Sequence, residues 1–219
     1  LFLAIPEPAE TRLATAKKIY DACSRQEISL PTPTLLNART NFHQLSSCFK
    51  MNIDDDLRAI YHAVENMAQI SKFGGGIGVY MGHLRSRGGS IRGVKGASAG
   101  VLPRAKVIND TAVAVNQLGS RKGAISTTID VRHRDIRDSL DMQTEVGDFR
   151  QKCFDLFPAV SFPDIFFRRL EADGQRTLFD PDEVQRIHGK RLENHRGAEF
   201  EEFYEQLEND DRLELKQNY

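Results

Sequence analysis

The chain is poor in cysteine, in net charge and in long apolar runs, and each shortage excludes a class of protein. Three cysteines stand among 219 residues with no CxxC pair, which excludes a disulfide framework or a cysteine-rich zinc site and points to a reducing cytoplasm. Thirty basic residues balance 31 acidic ones, for a net charge of -1. A nucleic-acid binder would carry a basic surplus, so no nucleic acid is expected as a partner. No apolar run approaches the roughly 20 residues that span a bilayer, so no membrane association is expected. The opening LFLAIPEPAETRL lacks a basic stretch and a small-residue cleavage site, so no secretory leader is expected either. No internal repeat is visible.

What remains is the composition of an ordinary globular protein, 40% apolar and 28% charged, with alternating helical and extended patterns. Residues 9–26 carry Leu13, Ala16, Ile19, Tyr20 and Cys23 at helical spacing, which makes Cys23 a half-buried packing residue. Pro31 and Pro33 favour an extended entry rather than a helix. SCFKMNI alternates like a strand. A second helix follows Asp54–Asp56, whose carboxylates suit its N-terminus, with Leu57, Ile60, Val64, Met67, Ala68 and Ser71 as one stripe. GGGIGVYM reads as a glycine-led strand, residues 84–100 as a long flexible loop of Gly, Ser and Arg, and residues 101–118 as a third helix with Val107, Ala114 and Leu118 among its apolar positions. A loop then feeds a strand ending near Val131. A short helix follows near HRDIRDSL, then a strand near DLFPAVSF, a helix from Pro163, and RTLFDPDEV as strand and helix start. The charged stretch from Gln185 carries Phe200, Phe203, Tyr204 and Leu207 as the stripe of an amphipathic helix, followed by a surface tail. The alternation predicts an α/β fold with substantial parallel sheet. Three segments are expected: an N-terminal helical segment 1–30, a main α/β part 31–185 with its loops, and a charged helical segment 186–219.

Three stretches could carry chemistry. Cys48, in HQLSSCFKMN, sits at a strand edge behind two serines. A buried strand cysteine is one reading, and a working thiol is the other, because two neighbouring hydroxyls need hydrogen-bond partners. No Cys or His stands at metal-ligand spacing from it, so no metal site is expected. In KFGGGIG, the glycines let a ligand approach the backbone. They follow a helix and open a strand, the reverse of a dinucleotide fingerprint, and no Gly-Lys-Ser/Thr follows, so both nucleotide-loop motifs fail. A tight helix-to-strand turn is the alternative. Two Arg/Gly loops, 84–98 and 118–123, could place guanidinium groups against phosphates or base edges, or could simply be solvated.

Six segments in order, PTPTLLNART, QLSSCF, ISKFGGGIG, LRSRGGSIRG, NQLGSRKGA and LFDPDEV, together resemble the catalytic large (α) subunit of ribonucleotide reductase, and class I enzymes most. EFEEFYEQLENDDRL resembles the family's region after LFDP. The resemblance implies half of a ten-stranded α/β barrel, the five parallel strands of its N-terminal half. It implies that Cys48 is the first of a redox-active cysteine pair that faces the ribose, helps the 2′-hydroxyl leave as water and then joins a disulfide. It places Thr32, Ser47, Gly75 and Gly76 against the substrate, with Arg121 in a loop (117–122) that reads the effector and contacts the substrate base. Asp55, Leu57, Lys72, Arg85, Ile91 and Gln117 match effector-binding positions: Asp55 for the deoxyribose 3′-hydroxyl, Arg85 for the phosphates, Lys72 for the neighbouring subunit's site.

The implied partners are a ribonucleoside diphosphate, a dNTP or ATP effector, a second copy pairing through the helices at 55–72 and 101–117, the other half of the large subunit, and a small subunit whose metal cofactor supplies the radical. Thioredoxin or glutaredoxin is the implied reductant, and no cofactor is expected to be bound by this chain itself. Departures stand beside the matches: Asp56 where Ser is common, Asn116 for Asp, and Leu118 for a loop glycine. The Asn-x-Cys-x-Glu segment with the radical cysteine, the second redox cysteine and an N-terminal ATP cone are not among these residues, so the chain alone is expected to be inactive, as a truncated or split piece. A regulatory and dimerisation module that binds deoxynucleotides without catalysis is the alternative reading.

Overall fold

The computed structural model describes residues 7–41, 44–115 and 122–219. The chain divides into two compact units, Leu1–Phe49 and Lys50–Tyr219.

The first unit holds two helices, α1 (Ala9–Ser24) and α2 (Thr32–Asn37). No residue of α1 is buried; Leu13 and Tyr20 are exposed and Cys23 is half-buried. The expected extended entry at 31–37 is instead α2. Pro31 caps it and Pro33 lies in its first turn, where a helix has no use for the missing N–H and the fixed φ fits. The Asn37 amide donates to the Gln44 carbonyl at 2.7 Å and fixes the segment that leads to the first strand.

The second unit is built on a sheet of order β1-β2-β3-β4: β1 (Cys48–Asn52), whose last residues belong to this unit, β2 (Gly76–Tyr80), β3 (Ala124–Asp130) and β4 (Leu156–Ser161). β2/β3 and β3/β4 are parallel, with Ile77 opposite Ile125 and Ile125 opposite Leu156. Parallel neighbours require crossovers. They are α3 (Leu57–Lys72), α4 (Leu102–Ala114) and, between β3 and β4, α5 (Ile136–Asp141). Asp56 caps α3 by accepting from the Ala59 N–H at 2.9 Å. The face of α3 that packs is Ile60, Ala63, Met67 and Ser71. Leu57, read as part of that stripe, is the first residue of the helix and is exposed. α4 buries Leu102, Ala105 and Ile108, while Val107 is half-buried and Ala114 exposed. Ile77, Val79, Ile125, Ile129, Leu156 and Met67 make the main core with them.

A second core forms around α8 (Gly197–Glu208), whose Phe200, Phe203, Tyr204 and Leu207 are all buried against Phe179, Val184 of α7 (Pro181–His188) and Leu192. α6 (Asp164–Glu171) adds Ile165. The segment after α8 is more than a surface tail. Leu213 is buried, and β6 (Gln217–Asn218) pairs antiparallel with β5 (Thr177–Leu178).

Candidate functional site

The two edges of a parallel sheet gather different residues. The leading edge holds the residues that precede each strand. Cys48 opens β1; its side chain is exposed and its Sγ lies 3.5 Å from the Ser47 hydroxyl. Alternation along β1 turns Cys48, Lys50 and Asn52 to the exposed face and half-buries Phe49 and Met51. Of the two readings of Cys48, the buried strand cysteine does not hold. Thr32 opens α2 and is exposed. Thr32, Ser47 and Cys48 belong to the first unit and Gly75 and Gly76 to the second.

The turn 73–76 is tight. Gly74 takes φ +73°, and its N–H and that of Gly75 donate to Ser71 and Ile70 carbonyls. Gly74 needs its glycine because few side chains tolerate that conformation. Gly75 is buried and Gly76 half-buried at the start of β2. Gln117, Leu118 and Arg121 lie outside the described residues.

The trailing edge, at the carboxyl ends of β1 and β2, holds the residues matched to an effector. Asp55 and Arg85, thirty positions apart, meet: the Arg85 guanidinium donates to the Asp55 carboxylate and to the Ser90 carbonyl, and reaches the Asp55 carbonyl at 3.3 Å. Asp182, at the start of α7, stands 3.5 Å from the same guanidinium. Burial pushes the Asp55 carboxyl up against the pull of Arg85, and the Asp182 charge adds to the rise. One cation thus faces two carboxylates, and a phosphate arriving at Arg85 would compete with both. Sequence reading did not find Asp182; LFDPDEV was visible, but not the arginine it would meet.

Leu57 is exposed as the first residue of α3, two positions after Asp55, and Ile91 is half-buried in the loop. Lys72 is not brought to this pair. It ends α3, and 16 helical residues span about 24 Å; its ammonium lies 5.5 Å from the Phe73 ring centre.

The loop 84–100, read as flexible, is tightly bonded. Arg87 bridges Ala99 and Ile91 bridges Val94, Ser86 and Ser98 are buried, and Gly88, Gly93, Gly96 and Gly100 all take positive φ near +80°. Glycine here serves turns rather than mobility.

A cavity of about 580 Å³ also opens at the carboxyl ends of the strands, and none of the sequence-predicted residues lines it. Its wall is a buried charge network. Arg132 reaches Asp130 at 3.1 Å and Glu193 at 3.3 Å, the Tyr80 hydroxyl donates to Asp130, and His83 lies 3.5 Å from Glu193. Burial, then the Arg191 charge, lowers the His83 pKa; burial, then Asp130, raises that of Tyr80. The sequence signal was IDVRHRD, charges closing an apolar strand. Cys153 is fully buried, and burial pushes its thiol up to about 11. No described helix is long and apolar enough to cross a membrane.

Comparison with known proteins matches residues 46–218 to the family "Ribonucleotide reductase, barrel domain" and residues 1–43 to "Ribonucleotide reductase, all-alpha domain". The ribonucleoside-diphosphate reductase subunit alpha of Treponema pallidum is 42% identical over 215 residues, 97% of this chain and 25% of that protein. That of Synechocystis is 42% identical over 208 residues, 95% of this chain and 27% of that protein. The large subunit of variola virus is 36% identical over 200 residues, covering 90% and 25%. The chain spans about a quarter of the length of these curated relatives.

Proposed function

Because the chain belongs to the ribonucleotide reductase large-subunit family, we propose that it forms the first half of a catalytic barrel that reduces ribonucleoside diphosphates under deoxynucleotide control. In this reading Cys48 is one of two thiols that deliver the reducing electrons. The C2′ hydroxyl leaves as water, one thiol hydrogen goes to that water and the other to C2′, and the two sulfurs join as a disulfide. Thioredoxin or glutaredoxin then returns the pair to thiols. The starting radical comes from the metal cofactor of a small subunit.

The second thiol comes from outside these 219 residues. Cys153 is buried and held protonated by burial, and Cys23 lies within α1. The chain alone is therefore inactive. Thr32, Ser47, Gly75, Gly76 and Arg121 bind substrate. Asp55, Leu57, Arg85, Ile91 and Gln117 bind a dNTP or ATP effector, to which Lys72 contributes from the second copy across a homodimer of α3 and α4. The protein works in the cytoplasm.

The observation that carries this reading is the meeting of Asp55 and Arg85 at the ends of adjacent strands. It sets an acceptor for a sugar hydroxyl beside a donor for phosphate. The exposed, hydroxyl-flanked Cys48 adds to it. Turnover of a ribonucleoside diphosphate by the α subunit that carries this chain tests the reading: Cys48→Ser removes turnover and leaves nucleotide affinity unchanged. Full turnover by that variant with thioredoxin as the sole reductant would refute the role given to Cys48.

A further inference from the structure

The loop that carries Arg85 is tied at both ends to residues 133–135, a segment that the sequence patterns mark only as the start of a short helix. Asp135, buried just before α5, accepts from the Arg87 N–H with both carboxylate oxygens at 3.0 Å and from the Val101 N–H with Oδ2 at 2.9 Å. One carboxylate thus joins the start and the finish of the loop. Gly100, at φ +82°, lets it in: a Cβ there would overlap Asp135 Oδ2 and stand 2.9 Å from the Arg87 nitrogen.

His133 adds a second tie. Its Nδ1 accepts from the Asp135 N–H at 3.0 Å, so Nε2 carries the hydrogen and donates to the Leu84 carbonyl at 2.8 Å. Arg134 donates to the Arg87 carbonyl at 2.8 Å. Residues 84, 87 and 101 are thereby fixed on either side of Arg85, by side chains from residues 133–135.

We propose that Asp135, supported by His133, is the positioning residue that sets loop 84–100 and holds Arg85 in its anion-binding geometry. The part that concerns Arg85 rests on the effector reading above. A buried carboxylate bonded to two backbone N–H groups leaves both unsatisfied when it is removed, and the loop then has no other described acceptor joining residues 87 and 101. The expected effect is local. β3 ends at Asp130 and keeps its ladders to both neighbours.

Hydrogen exchange of the full chain, with and without dTTP, tests the proposal. In Asp135→Ala the Arg87 and Val101 amides should exchange at least tenfold faster, with β3 amides unchanged, and half-maximal protection of the loop should need about tenfold more dTTP. Asp135→Asn, which keeps one acceptor oxygen, should restore most of that affinity. Gly100→Ala pushes on the same carboxylate from the loop side and should reproduce the loosening if Asp135→Ala does not fold. Unchanged loop exchange in Asp135→Ala would overturn the proposal, as would equal loosening of the loop and β3 in both variants. If dTTP protects no part of the wild-type loop, or protects Arg85→Ala equally, the effector reading falls, and the ligand-free exchange still decides whether Asp135 holds the loop.

Discussion

Removing Arg132 should cost this fold several kcal/mol, because its charge is buried between two acids. It is 8% exposed and lies between two carboxylates, Asp130 at 3.1 Å and Glu193 at 3.3 Å, with its guanidinium 5.2 Å from the centre of the Phe200 ring. Replacing it by Met keeps the apolar stem over Phe200 and removes the only guanidinium facing both acids among the described residues. Breaking a buried ion pair from one side costs about 3–5 kcal/mol, because the partner charge stays buried without compensation. For a chain of this size about 1 kcal/mol corresponds to a Tm shift of about 2–4 °C, so Arg132→Met should lower Tm by roughly 6–20 °C. Urea unfolding followed by circular dichroism gives the free energy directly. Adding Asp130→Asn and Glu193→Gln to Arg132→Met should recover most of the loss, since neutral amides leave no unpaired charge and the amide oxygen introduced by Asp130→Asn can still accept from Tyr80. A loss below about 1 kcal/mol for Arg132→Met, or a triple variant no more stable than the single one, would refute the argument that charge compensation holds this wall of the cavity.

Other outcomes follow from the same physics. Met67 is fully buried between α3 and the sheet, and Met67→Ala should destabilise by about 2–5 kcal/mol in urea unfolding. The Cys153 thiol, pushed up to about 11 by burial, should resist iodoacetamide at pH 8 until the protein unfolds. Exposed Cys48 should be alkylated in the native state, as peptide mass mapping would show. Asp180 is buried as the N-cap of α7, and burial raises its pKa. The native state therefore holds its proton to higher pH than the unfolded chain does, and the stabilisation is present below the ordinary carboxylate range and lost as pH rises through the raised value. Asp180→Asn keeps the cap and loses the titration, so its stability relative to wild type should increase with pH across that window; parallel pH profiles would contradict the assignment.

The sequence made much of the scaffold legible because its signals are local. The 3.6-residue stripe of α3 behind an Asp cap, the glycine-led β2 and the aromatic stripe of α8 each need only near neighbours to be read. Its errors came where distant residues decide. Pro33 suggests a helix break by residue type alone, whereas its position within the first turn makes it compatible. The glycines of 84–100 suggest flexibility in the sequence, because the side chains that fix the loop (His133, Asp135) lie far along the chain. Leu213 and β6 looked like tail because their partners are α7, α8 and β5.

For the site, motif order brought Asp55 and Arg85 into one hypothesis, and the fold places them in contact. It could not show Asp182 beside them, nor the Arg132 network, since a buried charge is visible only once its partners are in place. Of the three aspartates expected at the start of α3, Asp56 is the one that caps it.

The central claim is that this barrel half binds a deoxynucleoside triphosphate through Arg85. Titration calorimetry with dTTP on the wild-type chain and on Arg85→Ala tests it most directly. Saturable binding that Arg85→Ala abolishes is the predicted result, and folded wild-type protein that releases no heat with dTTP, or binds it equally well without Arg85, would contradict it.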